Sequence, residues 1–315
     1  MPEVPAALSD AAGRVLGAPV QASALSTAPF SVRPVLRLFL ADGRTAVLKT
    51  GAPTPAESAF RWCDLVAREV WLYEQVPLPS ALRPAYRGVV RAAGWWGLLL
   101  EDLTSHAVPP PWTTAAITAT ARALAHLHAA PPPASLPPDW HGRDRPQPFF
   151  ARIAARQRAP GDLPASWDGA WWDWFERQQP TLERAYQQLF GPERQALVHN
   201  NVRSDNLFLD TETAILIDWD HAILATPAYD SVYWALGVER EGGPPAAVVH
   251  AHYEALAGPL PEAEVLGVLA FWLGYFVDHL QAARSRPVNQ QLRREYLQLV
   301  VRWLVAFLPP PPGVG

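Results

Sequence analysis

Lysine is almost missing from this chain of 315 residues: a single one, Lys49, stands against 25 arginines. Guanidinium is a broad planar fork and ammonium a compact point charge, so a site needing the small charge in a tight place resists the exchange. A coding bias accounts for the arginines and leaves Lys49 as an exception with a functional reading. Cysteine is equally scarce. Cys63 alone excludes an internal disulfide and fits a reducing compartment; in an apolar-periodic stretch it reads as a plain thiol rather than a nucleophile. A basic excess is also absent, and a formal net charge of −4 excludes the positive field that nucleic-acid binding needs. The longest apolar run, Val265–Val277, ends at Asp278-His279. It falls short of the roughly 20 residues of a membrane span and reads as a buried helix. The first residues lack the basic segment and apolar run of a signal peptide. A cytoplasmic protein with no nucleic-acid or membrane partner is expected, its oligomeric state left open.

What is present is globular: 49% hydrophobic and 18% charged residues, in a length that suits one large domain or two lobes around a cleft. Residues 8–17 predict a short helix with Ser9 or Asp10 near its start. V-R-P-V-L-R-L-F-L (32–40) and R-T-A-V-L-K (44–49) alternate about an A-D-G turn, a hairpin whose second strand ends at Lys49. A helical pattern follows over 56–76, then strand-like runs at 88–93 and 97–103 joined by a Gly94–Gly97 turn. From 113 onward helices are predicted over 113–130, 147–158, 166–189, 228–238, 246–257, 261–283 and 289–308. Short strands at 206–209 and 214–217 interrupt them. The expected fold class is α+β: a sheet-plus-helix N-lobe over 1–103, a linker near 101–104, and a mostly helical C-lobe over 104–315.

Between the helices lies L-V-H-N-N-V-R-S-D-N-L-F-L (197–209), followed by A-I-L-I-D-W-D. A strand lysine, Lys49, suits nucleotide phosphates, and Glu69 on the next helix suits an ion pair with it. Asn206 and Asp218 offer the hard oxygen ligands that Mg²⁺ takes when it shares its shell with phosphates.

Together, H-N-N-V-R-S-D-N (199–206) and I-D-W-D (217–220) resemble the paired loop motifs of the aminoglycoside phosphotransferase and choline kinase group, which shares the bilobal protein-kinase-like fold. A-V-L-K, R-E-V-W-L-Y, L-L-L-E-D-L, A-L-A-H-L-H-A-A (123–130) and A-Y-D (228–230) match in order and spacing, over roughly 25 to 240. The resemblance implies an ATP-dependent (or GTP-dependent) O-phosphotransferase acting on a small hydroxylated molecule, with Mg²⁺. It implies that Lys49 contacts the α/β-phosphates with Glu69 as its anchor. Glu101 and Leu103 would meet the adenine through backbone groups, and Asn206 and Asp218 would hold the metal. Arg203, two residues past the catalytic position, would stabilise transition-state charge, or else close a salt bridge within the loop. His199 and the aspartate of A-Y-D would support the loop, and Asp220 would fix its turn.

Two departures stand out. The segment S-A-L-S-T-A-P-F-S (23–31) has no glycine where a phosphate-covering loop is expected. More consequentially, the position of the usual catalytic aspartate is Asn201. Asparagine keeps the shape and still accepts a hydrogen bond, but cannot take the hydroxyl proton. General-base help is worth about 10² to 10⁴ in rate, whereas phosphoryl transfer rests mainly on positioning and charge neutralisation. Three explanations stand side by side: a natural member that kept nucleotide binding and lost turnover, a form altered from aspartate to trap a complex, and an active variant with a displaced base. A non-catalytic pseudokinase acting as a sensor or partner module is the alternative function.

Other patterns read as packing. His250 and His252, like His126 and His128, are two apart, which puts each pair on different helix faces. The tryptophan-rich run 167–175 reads as helix packing before it reads as a cation-stacking surface. From 221 onward eight acidic residues stand against six arginines, no acidic groove for a polyamine.

Overall fold

Alternation decides the N-terminal architecture. In the computed structural model, which describes residues 4–25, 34–52, 62–133, 147–155, 169–190, 195–210, 212–281 and 287–309, the alternating runs pair as strands. The chain divides into two compact units, Met1–Pro109 with Asp205–His221, and Pro110–Ser204 with Ala222–Gly315.

The first unit holds an antiparallel sheet of β1 (Val20–Leu25), β2 (Val35–Leu40), β3 (Thr45–Gly51), β4 (Tyr86–Ala92) and β5 (Trp95–Leu100), in the order β1-β2-β3-β5-β4. One face carries Leu36, Leu38, Leu48, Val90 and Leu99, packed with Leu8 and Ala12 of α1 (Ala6–Leu16). Because successive side chains alternate, Lys49 points to the opposite face, beside Leu98. There α2 (Trp62–Gln75) packs on β3 and β5. The segment 205–221 adds the small ladder of β7 (Leu207–Leu209) and β8 (Ala214–Leu216) to this unit, after β6 (Ala196–Val198) of the second unit.

The second unit is mostly helical: α3 (Thr114–Ala129), α4 (Phe149–Ala155), α5 (Gly169–Gln188), α6 (Ala228–Arg240), α7 (Ala246–Ala257), α8 (Glu262–Gln281) and α9 (Pro287–Leu304), with β6 paired to β9 (Ile223–Ala225). Thr113 caps α3 by accepting from the Ala116 N–H at 3.1 Å. α8 is apolar nearly all round and packs against α4, α5, α6 and α9. Among the described residues α8 alone is long and apolar enough to cross a membrane, and 72% of its most apolar window is buried inside the protein.

Several expectations need correction. α1 begins after Pro5, with no side-chain cap from Ser9 or Asp10, because proline presets the φ of a helix entry. β3 runs past Lys49 to Gly51, since Thr50 and Gly51 still pair with β5. The β4–β5 turn is at Ala93-Gly94, both at positive φ, as a two-residue hairpin requires. Gly97 is instead a strand residue, where a Cβ would meet Leu48 and Val90 side chains at 2.6 and 2.7 Å. The apolar run Val265–Val277 lies inside α8, which spans Glu262–Gln281 within the helix expected over 261–283. Strands β1, β6 and β9 were not anticipated. The expected helix starts at 56–61 and 166–168, and the expected end at 156–158, lie outside the described residues, as do positions 26–31 of the glycine-free segment.

Candidate active site

Within the first unit, three elements meet at one ammonium. Lys49 Nζ donates to Glu69 Oε2 at 2.5 Å and to Asp218 Oδ1 at 2.6 Å. Lys49 is 7% exposed and Glu69 fully buried. The second Glu69 oxygen accepts from the Trp219 N–H at 3.3 Å. One carboxylate thus ties β3, α2 and the turn after β8 together. A compact, three-donor ammonium suits this enclosure; a planar guanidinium does not.

Asp218 follows β8 in the left-handed region, at φ 67°, a conformation asparagine and aspartate tolerate better than other side-chain-bearing residues. The Ile217 N–H donates to the Asn206 carbonyl at 3.0 Å, so the β7–β8 ladder sets Asn206 beside the residue that precedes Asp218. A side-chain amide oxygen and a carboxylate are hard donors of the kind Mg²⁺ accepts. No group of three or more His, Cys, Asp or Glu able to hold a metal occurs among the described residues.

The linker is pinned from β2. Asp102 Oδ2 accepts from Arg37 Nε at 2.6 Å and Oδ1 from the Thr104 N–H at 3.0 Å. Burial raises the Asp102 pKa, but hydrogen bonds from Thr104, Thr45 and Arg37 outweigh it and hold the carboxyl below its usual value. Glu101 is spent on β-structure: its N–H donates to the Ala85 carbonyl and its carboxylate accepts from the Ala85 N–H. Leu103 is buried. Among the described residues no hydrogen bond uses the Glu101 carbonyl or the Leu103 N–H.

The second unit contains the loop His199–Ser204. Asp230, on the first turn of α6 and fully buried, accepts from the His199 N–H at 2.7 Å and the Asn200 N–H at 2.6 Å. Its Oδ2 also meets His128 Nε2 at 3.1 Å, and His128 Nδ1 lies 2.8 Å from the Tyr253 hydroxyl. Asn200, immediately before Asn201, adopts φ 59°. Arg203 lies near Tyr233 and Tyr296. Burial and the neighbouring Tyr296 raise the Tyr233 phenol well above its usual pKa, and the Arg203 charge partly offsets this. Tyr296 is likewise raised by burial and eased by Arg240 and Arg203.

The tryptophan run resolves as packing: Trp171, Trp172 and Trp174 are buried, and Trp174 Nε1 donates to the Pro309 carbonyl. The histidine pairs serve separate partners, with His252 on Thr118 and His250 against Tyr253 and Trp303. Sequence reasoning missed the Trp219 N–H, Tyr253, and the ties of Ser204 and Trp112 to Glu241. A backbone donor leaves no signature. Glu241, in the run E-R-E-G-G, resembles any polar helix end.

Residues 35–265 match the family model described as the phosphotransferase enzyme family (APH). The chain belongs to this family. Among solved structures, spectinomycin phosphotransferase APH(9)-Ia in its AMP-bound complex is similar at a TM-score of 0.59 and 12% identity, over 90% of this chain and 94% of that one. A choline/ethanolamine kinase family protein from Mesorhizobium loti gives 0.54 and 16%, over 89% and 92%. A microcompartment-associated aminopropanol kinase gives 0.54 and 14%, over 90% and 93%. At these identities the likeness concerns the fold, which is that of kinase-like small-molecule phosphotransferases. No curated protein sequence matches the chain.

Proposed function

We propose that this member of the phosphotransferase family transfers the γ-phosphoryl group of ATP to a hydroxyl of a small molecule, slowly, because Asn201 occupies the base position. The observation that carries the reading is the buried Lys49, held by Glu69 and set against Asp218. A lone lysine kept in such an enclosure is costly unless its charge is used, and the phosphates of a nucleotide use it. The nucleotide-bound state of APH(9)-Ia supports ATP over other donors.

Each residue has a part. Lys49 neutralises the α/β-phosphates, and Glu69 fixes its direction. The Glu101 carbonyl and Leu103 N–H take the adenine edge. Asn206 and Asp218 hold Mg²⁺, which when bound supplies charge neutralisation to the phosphates. Asn201 orients the acceptor hydroxyl by accepting its hydrogen bond. The acceptor oxygen forms the new O–P bond as the bond to the β-phosphate oxygen breaks. The hydroxyl proton, with no carboxylate at 201 to receive it, leaves to solvent or to the transferred phosphoryl oxygen. Arg203 offsets charge on that group.

A second reading rests on Asn201 itself: a nucleotide-binding pseudokinase that senses ATP without turnover. Thermal stabilisation by Mg·ATP and ATP hydrolysis, measured for the chain and for Asn201→Asp, separate the two. Turnover in the chain that rises by about 10²-fold or more with aspartate supports the transferase. Stabilisation without turnover in either form favours the pseudokinase. No response to nucleotide in either form defeats both, and a screen of hydroxylated acceptors follows only from the first outcome.

A further inference from the structure

The loop that carries Asn201 and Arg203 is held at both ends, and its two anchors differ in kind. Asp230 grips the start through backbone N–H groups. The far end is held through a side chain: Ser204 Oγ donates to Glu241 Oε1 at 2.7 Å. Glu241 is itself oriented from two other directions. Trp112 Nε1 donates to its Oε2 at 2.8 Å, and Arg240 NH2 to its Oε1 at 2.6 Å. Arg240 in turn lies over the Tyr296 ring at 5.3 Å and 3.6 Å from Glu295. Both belong to α9, beyond residue 265 where the family match ends. The carboxylate is 13% exposed.

The Glu241 side chain is not needed to finish α6. The backbone does that, with Glu241 N–H on the Gly237 carbonyl, Gly242 N–H on Glu239 and Gly243 N–H on Val238. A carboxylate given two orienting donors of its own, and aimed at the loop, is spent on holding Ser204. Ser204 is one residue from Arg203 and three from Asn201. A tether this close limits how far either side chain swings, and a misplacement of about 1 Å near the chemistry costs on the order of 10²-fold in rate.

We propose that Glu241 is a positioning residue for phosphoryl transfer, fixing the end of the loop that bears Asn201 and Arg203 through its hydrogen bond from Ser204. The proposal rests on the phosphotransferase reading above. Its test therefore pairs a catalytic readout with one independent of ATP. Ser204→Ala, Ser204→Thr and Glu241→Gln are compared with the parent chain for thermal midpoint, amide exchange of residues 199–204, and kcat and KM for ATP hydrolysis. Ser204→Ala is expected to speed loop exchange and lower kcat by about tenfold each, a misplacement smaller than the full effect. KM for ATP and the thermal midpoint stay close to the parent. Ser204→Thr keeps the hydroxyl and restores both readouts, and Glu241→Gln falls between. Unchanged exchange and kcat in Ser204→Ala overturn the proposal, as does a threonine variant as impaired as alanine. So does a loss in Glu241→Gln that merely follows a fallen midpoint. Faster exchange in a chain that neither binds nor hydrolyses ATP shows the tether to be real and overturns its catalytic role together with the phosphotransferase reading.

Discussion

Lys49 Nζ stands 2.6 Å from Asp218 Oδ1 while it also donates to Glu69 at 2.5 Å. One ammonium therefore faces two carboxylates, and the three groups together carry one negative charge. Asp218, 28% exposed at its side chain, is the most exposed of the three. The fully buried Glu69 is instead committed to Lys49 and to the Trp219 N–H.

Replacing Lys49 by methionine leaves Glu69 buried opposite an apolar chain. Removing one partner of a buried pair costs about 3–5 kcal/mol. Urea unfolding of Lys49→Met is expected to show a loss of that order, with no Mg·ATP stabilisation remaining. Lys49→Arg, an exchange the rest of the chain tolerates, is expected to lose about 1–3 kcal/mol because the fork overfills the enclosure. Wild-type stability in both variants contradicts the burial argument.

Asp218→Asn behaves differently. The Lys49–Glu69 pair survives, so the unfolding free energy is expected to change by under about 1 kcal/mol, in keeping with a partly exposed ion pair. Magnesium dependence of nucleotide binding is expected to vanish while metal-free ATP still binds. A titration of ATP with and without Mg²⁺, followed by thermal shift, reads both.

Much of this was legible in the chain. A-V-L-K announced a strand bearing a cation, although that strand runs on to Gly51, and the 3.6-residue periodicities located the helices within a few residues. The parts that escaped are long-range. β6 and β9 are three residues each, too short for any period, and pair across 24 intervening positions or more. β1 has an exposed run in place of alternation. The grouping of 205–221 with the first unit depends on packing, which sequence order hides. The roles of Asn201 and Arg203 were read from motif alone, and the geometry that bears on them, Asp230 at one end and Glu241 at the other, is tertiary.

Tyr73 offers a test of polar burial beside the site. Its ring is 4% exposed, Arg83 lies over it at 4.9 Å, and its hydroxyl has no hydrogen-bond partner among the described residues. Burial, then the charge of Glu69, pushes its pKa well above the usual value, so it stays a neutral phenol. An unpaired buried hydroxyl costs about 1–3 kcal/mol. Tyr73→Phe is expected to be as stable as the parent or more so. A clear loss in chemical denaturation means the hydroxyl has a partner that the geometry does not reveal.

His250 on α7 gives the molecule an acid sensitivity. Burial against Tyr253 and Trp303 lowers the His250 pKa below 6.5, and Glu254, at 3.5 Å, only partly counters it. The folded chain therefore holds His250 neutral at a pH where the unfolded chain has already bound a proton. Since stability rises with pH wherever the unfolded state binds more protons, this contribution is complete above 6.5 and declines as pH falls below it. The difference in unfolding free energy between pH 7.5 and 5.5 is expected to shrink in His250→Gln. An unaltered pH slope in that variant assigns the sensitivity elsewhere.

Asp230 accepts from two backbone N–H groups of the second unit's loop and from His128. All three donors are buried. Asp230→Ala strips them at once, and a loss of about 3–5 kcal/mol is expected, the range for removing one member of a buried charged network. Asp230→Asn is the sharper variant, because its single carbonyl oxygen serves one of the two N–H groups and its amide faces the other as a second donor. It is expected to fold with a loss nearer 2 kcal/mol, as for a buried donor left unsatisfied, and to speed exchange of the His199 or Asn200 amide selectively. Uniform exchange across the second unit in that variant means that Asp230 supports the whole helical packing rather than the loop.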